Sequence, residues 1–156
     1  MHTNRRNRVR LIATVGLTLL LIGATAGRAA AFDFRGGDTV TIGAGEVVDD
    51  DLFIGGNTVV VDGTVNGDLF IAGSDVEVNG TVNGSLFASG QSVKINGEIT
   101  GSVYSGAMSL TFGPQASVGR NALFGGFSLE AESGSVVNRD LLMGGYQALL
   151  NGEIGR

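Results

Sequence analysis

Carboxylates are the only side chains of this sequence whose clustering could support catalysis or metal binding. The acidic cluster comprises Asp49, Asp50, Asp51 and Asp68. Carboxylates held close together could share a proton, bind Ca²⁺ or form the pair of a retaining glycosidase. The alternative is a hydrogen-bonded, solvated corner, because no Lys or Arg accompanies the cluster and Ser85 and Ser102 continue its 17-residue spacing. The pattern favours the corner.

The residues that most enzymes use as bases are absent from the rest of the chain. Its one histidine is His2, and it contains no cysteine. Neither Ser85 nor Ser102 can therefore be paired with a His base as a nucleophile. A His-based zinc site is excluded for the same reason. We predict that the protein is not an enzyme and that it uses no cofactor or metal ion.

The first 31 residues have the order of a secretory signal peptide. Four arginines precede an apolar run at residues 11–26, and three alanines follow at 29–31. This order predicts export with cleavage before Phe32. An uncleaved membrane anchor is the alternative, because the run is near the lower length of a spanning helix, about 17 residues. Both predict an extracytoplasmic protein, exported across or tethered to the membrane.

The part of the chain that follows this segment is strongly acidic. Five of the ten Lys and Arg residues precede residue 32, whereas all fifteen Asp and Glu residues follow it, so residues 32–156 carry a net charge of −10. Proteins that bind nucleic acid neutralise phosphates with basic side chains. We therefore predict no nucleic-acid partner.

An internal repeat indicates the architecture. The phrase VNGDLFIAG at Val65 returns at Val82 as VNGSLFASG, and aligning it divides the chain into six coils of 17 or 19 residues. These are 48–64, 65–81, 82–98, 99–117, 118–136 and 137–153. The repeat domain spans 48–156, and an N-terminal partial coil at 32–47 precedes it, with its match to the repeat beginning at residue 38.

A solenoid requires the same residue type at the same place in each coil, because each coil stacks on the last. At about 3.3 Å per strand residue, 17 residues make a perimeter of roughly 56 Å, or three faces of five or six residues. The sequence therefore predicts an all-β, single-stranded β-helix. The Asn-Gly and Asp-Gly pairs, such as Asn79-Gly80, are expected to form turns because these residues tolerate positive φ.

Three columns of apolar residues form the predicted core. The first contains Val48, Val65, Val82, Ile99, Val118 and Val137; the second Leu52, Leu69, Leu86, Val103, Ala122 and Leu141; the third Val59, Val76, Val93, Leu110 and Leu129. Alternation along a strand points Ile54, Ile71 and Ala88 inward beside the second column.

The same alternation points a further column outward, which we call the aromatic stripe. It comprises Phe53, Phe70, Phe87, Tyr104, Leu123 and Leu142. If the strand curls at this point, the column belongs to the core instead. An external stripe would exceed the few hundred Å² of contiguous apolar surface that soluble monomers usually expose. It would then be covered by another rod, a lipid surface or another part of the chain.

The segment at 61–106, VDGTVNGDLFIAGSDVEVNGTVNGSLFASGQSVKINGEITGSVYSG, resembles the bactofilins, polymer-forming cytoskeletal proteins of bacteria. The likeness covers residues 38–156. It implies a right-handed, roughly triangular β-helix whose ends pair to form nucleotide-free filaments, often at a membrane and as a scaffold of the cell envelope. Familiar bactofilins are cytosolic, so the export signal favours an exported or membrane-tethered relative, and the aromatic column is heavier than is usual in that family.

The ends of the repeat favour self-assembly. Exposed strand edges pair with another molecule unless charge, proline or a covering segment blocks them, and the only proline is Pro114. The last residues, 154–156, repeat the start of the fifth coil, which indicates either a fragment or an open edge. We predict a structural protein whose partner is itself, as an end-to-end homopolymer, with the membrane or an envelope component as a further partner. The alternative is a monomeric binding module that holds polysaccharide, lipid or protein on the aromatic stripe.

Overall fold

The chain folds into a β-solenoid of about seven coils. The computed structural model describes residues 33–155, and the signal segment predicted at 1–31 lies outside them. These residues form sixteen β-strands and no helix, and every strand pairing is parallel. Residues 33–155 thus offer no helix that could span a membrane. The predicted all-β solenoid is confirmed, whereas its right-handedness stays a prediction from the resemblance.

The strands form two sheets that run along the solenoid. The nine-stranded sheet contains β1 (Asp33–Ile42), β3 (Leu52–Val61), β5 (Leu69–Ala72), β6 (Asp75–Val78), β8 (Leu86–Ile95), β10 (Val103–Phe112), β12 (Ala122–Ala131), β14 (Leu141–Gly144) and β15 (Gln147–Leu150). The seven-stranded sheet contains β2 (Val47–Val48), β4 (Thr64–Val65), β7 (Thr81–Val82), β9 (Glu98–Ile99), β11 (Ser117–Val118), β13 (Val136–Val137) and β16 (Glu153–Ile154). Each coil contributes one long segment and one two-residue strand.

The strand register stacks like residues on like, as the repeat predicts. Leu52 pairs with Leu69, and Leu69 pairs with Leu86. The six aligned coils are preceded by one that the alignment recognised only from residue 38, because β1 pairs with β3 over its whole length from Asp33. The partial coil predicted at 32–47 is therefore a nearly complete seventh coil.

Each coil has three faces, which the burial of its side chains defines. In β3, Leu52 and Ile54 are buried and alternate with exposed neighbours, but the next buried residue is Val59. A step of five breaks the alternation, so the chain turns a corner at 55–58. Val61 ends the second face, and the buried Val65 in β4 marks the third. We call the face that contains Leu52 and Ile54 the first face.

The difference between 17- and 19-residue coils lies at one corner. The register of β10 on β8 is offset by 17 residues, whereas that of β11 on β9 is offset by 19, so the two extra residues lie between Phe112 and Ser117. There a four-residue turn, closed by the backbone N–H of Ala116 donating to the carbonyl of Gly113 at 2.9 Å, replaces Asn96-Gly97. Turns at 43–46 and 132–135 have the same hydrogen bond.

The predicted reason for the Asn-Gly corners is wrong. Of the described residues, only Gly134 has a positive φ, 101°. The short corners need glycine for close approach instead: a Cβ on Gly80 would collide with the carbonyl oxygen of Gly63, and one on Gly97 with that of Gly80. Glycine is required there because the backbone of one coil lies directly on the backbone of the next.

Large and small residues compensate one another in the core. The fully buried Phe112 pairs with Ala131 in the next coil. In that coil Ala122 takes the place of the leucines of its column, and Phe124, two residues further on, is also buried. Close packing demands this compensation, because voids and overlaps both cost free energy.

Candidate functional site

The aromatic stripe lies outside the core. Phe53, Phe70 and Phe87 are half-buried on the first face, and Tyr104 is 39% exposed. Their neighbours in the strands, such as Leu69 and Ile71, are buried. Leu123 and Leu142 continue the stripe and are exposed. The structure thus has the outward arrangement and not the one in which this column joins the core.

The rings of the stripe stack on one another. The centroids of Phe53 and Phe70 are 4.4 Å apart, those of Phe70 and Phe87 4.6 Å, and those of Phe87 and Tyr104 4.8 Å. The ring planes are within 8° of parallel. Such pairs contribute about 0.5–1.5 kcal/mol each beyond the burial of area. Because the ring faces cover each other, the stripe presents ring edges to its surroundings.

The stripe begins one coil earlier than the sequence predicts. Phe34 pairs with Phe53 in the ladder between β1 and β3, and its side chain is largely exposed. The alignment missed it because the match was recognised only from residue 38. The signal was present in the sequence, since DFRGG at residue 33 has the same pattern as LFIGG at Leu52.

A column of small residues runs beside the stripe and makes the first face concave. It comprises Gly36, Gly55, Ala72, Ser89, Gly106, Gly125 and Gly144. Stripe and column line a cavity of about 440 Å³ that runs from Phe34 to Tyr104. A second cavity, of about 580 Å³, continues from Tyr104 to Leu142. We call the two together the glycine groove.

Packing within the solenoid does not require the glycines of this groove. A Cβ placed on Gly55, Gly106 or Gly125 meets no atom within 4 Å. In the adjacent column a Cβ on Gly56 would lie 2.7 Å from the carbonyl oxygen of Gly37, so that glycine is needed by the fold. Glycine in a strand costs roughly 0.5–1 kcal/mol relative to alanine. The bare column therefore has an energetic cost that the isolated solenoid does not explain.

The outward positions of the first face carry no charge in any coil. No Asp, Glu, Lys or Arg occupies the stripe or the small-residue column. Residues 32–156 nevertheless carry a net charge of −10, and that charge therefore lies elsewhere on the molecule. The first face is thus suited to apolar contact and not to an ionic ligand.

A second exposed aromatic column, which the sequence analysis missed, lies at the corner beside the groove. The rings of Phe127 and Tyr146 stack with centroids 5.2 Å apart, and Met108 precedes them at the same place in its coil. All three side chains are more than half exposed. The equivalent residues of earlier coils, such as Asn57 and Gln91, are polar, so the column has no repeating signal in the sequence.

The acidic cluster forms a hydrogen-bonded ladder. The backbone N–H of Asp68 donates to Oδ1 of Asp51 at 2.8 Å, and that of Ser85 donates to Oδ1 of Asp68 at 2.7 Å. The pattern continues with the N–H of Ser102 and Oγ of Ser85 at 3.3 Å. Each side chain of this column thus accepts the N–H of the equivalent residue one coil further on.

The other two members of the acidic cluster also accept hydrogen bonds. Asp49 accepts from Nδ2 of Asn66 at 2.7 Å, and Oδ1 of Asp50 accepts from the backbone N–H of Asp51 at 2.8 Å. Within residues 33–155, no three His, Cys, Asp or Glu side chains are grouped so that they could hold a metal ion. The cluster therefore has the geometry of the corner that the sequence favours.

The first coil contains a charged network at inward positions. Arg35 pairs in register with the buried Ile54, and its guanidinium bonds Asp33 at 3.0 Å and Glu46 at 2.5 Å. These are the ion pairs of the described part of the chain. The hydrogen bond to Glu46 is the main reason why the pKa of Arg35 is raised, against the opposing effect of burial. Inward charge blunts a sheet edge.

The last coil exposes residues that are buried in every preceding coil. β14, β15 and β16 each pair with one neighbour only. Leu150 is 47% exposed, whereas Ala131, its partner in the ladder, is 2% exposed. The two ends of the described solenoid therefore differ, with charge at one and apolar side chains at the other.

No protein-family model, curated protein or solved structure matches this chain. The bactofilin resemblance stays a prediction from the sequence.

Proposed function

We propose that this chain is a non-enzymatic structural protein, a bactofilin-like β-solenoid that self-assembles end to end into a polymeric scaffold at the bacterial cell envelope. The observation that supports this most is the exposed last coil. Its strands leave one edge unpaired, and its inward side chains, Leu141, Leu150 and Ile154 among them, are only partly covered.

A coil of a second copy would satisfy both deficits of that end. Parallel pairing joins every inner coil to two neighbours, so a coil docked in the same register would supply the missing N–H and C=O partners. It would also remove apolar side chains from water, at about 25 cal/mol per Å². The contact would repeat the stacking by which the solenoid itself is built.

The two ends contribute differently to such a contact. The Arg35 network lies at the first coil, and covering it removes partly exposed charges from water at a cost. We infer that the last coil supplies the apolar part of the contact and that the first coil limits its strength.

The proposed location depends on residues 1–31. Their arginines, apolar run and alanines favour export with cleavage, or retention as an anchor. The scaffold would then lie outside the cytoplasm, with a membrane or envelope component as a second partner.

The test is negative-stain electron microscopy of the protein, in the form that an expressing bacterium yields, over a dilution series. Leu150→Lys places a charge in an inward column, whereas Leu149→Lys places the same charge on the adjacent outward position of equal exposure. We expect filaments in the unsubstituted protein and in Leu149→Lys, and their loss in Leu150→Lys. Monomers at every concentration, or equal effects of both substitutions, would contradict the proposal.

The glycine groove supports a second candidate function, a monomeric binding module. A groove of about 440 Å³ beside four stacked rings could hold an acyl chain or an apolar segment of a protein. Polysaccharide fits less well, since a sugar that stacks on a ring needs an exposed ring face. Ligand binding that is lost in Phe70→Ala while filaments persist would favour this function.

A further inference from the structure

We propose that the first face is an interface between two copies of the solenoid. The copies lie side by side with parallel axes, and the aromatic stripe of each is seated in the glycine groove of the other. This contact is lateral and is distinct from the end-to-end contact proposed above.

The first face is complementary to itself. The stripe is a ridge and the small-residue column beside it is a groove, and both repeat once per coil because they belong to the same ladders. The rings lie 4.4–4.8 Å apart along the ridge, and the groove has the same period. A partner with the same fold therefore matches the groove in every coil, which gives an isologous contact.

The side-by-side order of ridge and groove selects parallel axes. A two-fold rotation about an axis along the solenoid exchanges left and right on the facing surface, so each ridge meets the partner's groove. A two-fold rotation about an axis across the solenoid leaves left and right unchanged, so ridge would meet ridge. Only the parallel pair lets Phe70 of one copy approach Ala72 of the other.

This pairing explains the glycines that the isolated fold does not require. The space above Gly55, Gly106 and Gly125 is open, because a Cβ there meets no atom within 4 Å. In the pair, the ring edges of the partner's stripe occupy that space. Glycine within a strand often marks a site where another chain or ligand approaches closely.

A second copy fits the face better than other occupants. The face has no charge to attract an ionic ligand, and the net charge of −10 opposes approach to an anionic bilayer. An acyl chain lying in the groove would remain partly exposed, whereas binding sites usually bury 70–90% of a small ligand. A copy of the solenoid provides an uncharged surface of matching period and length.

The area of the face sets the strength of the pairing. Seven coils at about 4.8 Å and a width of five residues at about 3.3 Å give roughly 550 Å² per copy. Stable pairs of proteins usually bury about 800 Å² per partner. Isolated solenoids should therefore pair weakly, and filaments strongly, because many faces engage at once. The strong pairing of filaments rests on the proposed end-to-end assembly, but the contact of two faces does not.

The test uses thiol cross-linking in a chain that has no cysteine of its own. Gly55→Cys and Gly144→Cys lie five coils apart in the groove, and neither new side chain meets an atom within 4 Å. Both are made in the Leu150→Lys background, so that end-to-end contacts do not contribute, and treated with a short bismaleimide. We expect each variant to cross-link to itself, with no additional product in a mixture of the two.

A charge in the groove provides the matched control. Gly106→Glu should lower the cross-linked yield about tenfold or more, because two like charges would face the closed interface. Thr100→Glu adds the same charge at an exposed position outside the first face and should leave the yield unchanged.

Three results would overturn the lateral pair. One is the absence of cross-linking in either single variant. Another is a product that forms only in the mixture, which would mean antiparallel copies. The third is co-sedimentation with phosphatidylcholine vesicles that Gly106→Glu abolishes while neither variant cross-links to itself, which would assign the groove to lipid. If filaments fail to form but self-cross-linking occurs, the end-to-end proposal fails and the lateral one stands.

Discussion

At the scale of single residues, the glycines of this solenoid are of two kinds. Those at the short corners, such as Gly80 and Gly97, lie where the carbonyl of the coil below leaves no room for a Cβ. Those of the groove, such as Gly106, lie beneath open space. The first kind serves the stacking of coils, and the second kind keeps a surface accessible to a partner.

This distinction predicts opposite effects of one substitution. Gly80→Ala should destabilise the protein by more than about 2 kcal/mol, because the new methyl group overlaps the backbone of the preceding coil. Gly106→Ala should be neutral or stabilise by up to about 1 kcal/mol, because it restricts the unfolded chain without a clash. Urea denaturation followed by circular dichroism measures both. Equal losses of stability would show that the groove glycines are also needed for packing.

The acidic corner shows how far sequence can resolve single residues. The continuation of Asp51 and Asp68 by Ser85 was enough to favour a hydrogen-bonding corner. The donors could not be predicted, because they are the backbone N–H groups of the following coil, and their positions depend on the stacking distance. The unneeded glycines were missed for a similar reason, since a sequence shows a glycine but not the space above it.

At the scale of strands, the repeat predicted the register because one coil length places like residues together. It failed where a coil departs from the pattern. Asp33 and Arg35 occupy inward positions that are apolar in the next coil, so the first half of β1 was not recognised as part of the repeat. The column of Met108, Phe127 and Tyr146 was missed because only the last three coils carry it.

The compensation between Phe112 and Ala131 makes a prediction about the strands β10 and β12. Phe112→Ala should cost about 3–5 kcal/mol, because it leaves a cavity in a fully buried column. Ala131→Phe should cost about 1–3 kcal/mol through overpacking. The double substitution exchanges the two volumes between paired positions, so it should cost less than the sum by about 0.5–3 kcal/mol.

Urea denaturation of the four proteins closes this double-mutant cycle. The pair Leu110→Ala and Ala131→Phe serves as a control, because Leu110 belongs to a different column. Additive effects of Phe112→Ala and Ala131→Phe would mean that the two positions do not share one packing space.

At the scale of the whole molecule, each proposed contact brings together rods that carry the same charge. Residues 32–156 have a net charge of −10, and the first face, where lateral contact is proposed, carries none of it. Repulsion between the rods is therefore long-ranged and not local. Such repulsion is screened over about 30 Å at 0.01 M salt but over about 8 Å at 0.15 M.

Filament growth should therefore become easier as salt is added. We expect the lowest protein concentration that supports filaments to fall several-fold between 10 mM and 150 mM NaCl, because screening weakens the repulsion while apolar contacts persist. Pelleting of filaments by ultracentrifugation measures this concentration, and sucrose at equal osmolality is the control for solute effects. If growth weakens with salt instead, attraction between opposite charges holds the ends together. The network of Arg35, Asp33 and Glu46 at the first coil would then belong to the contact and would not merely limit its strength.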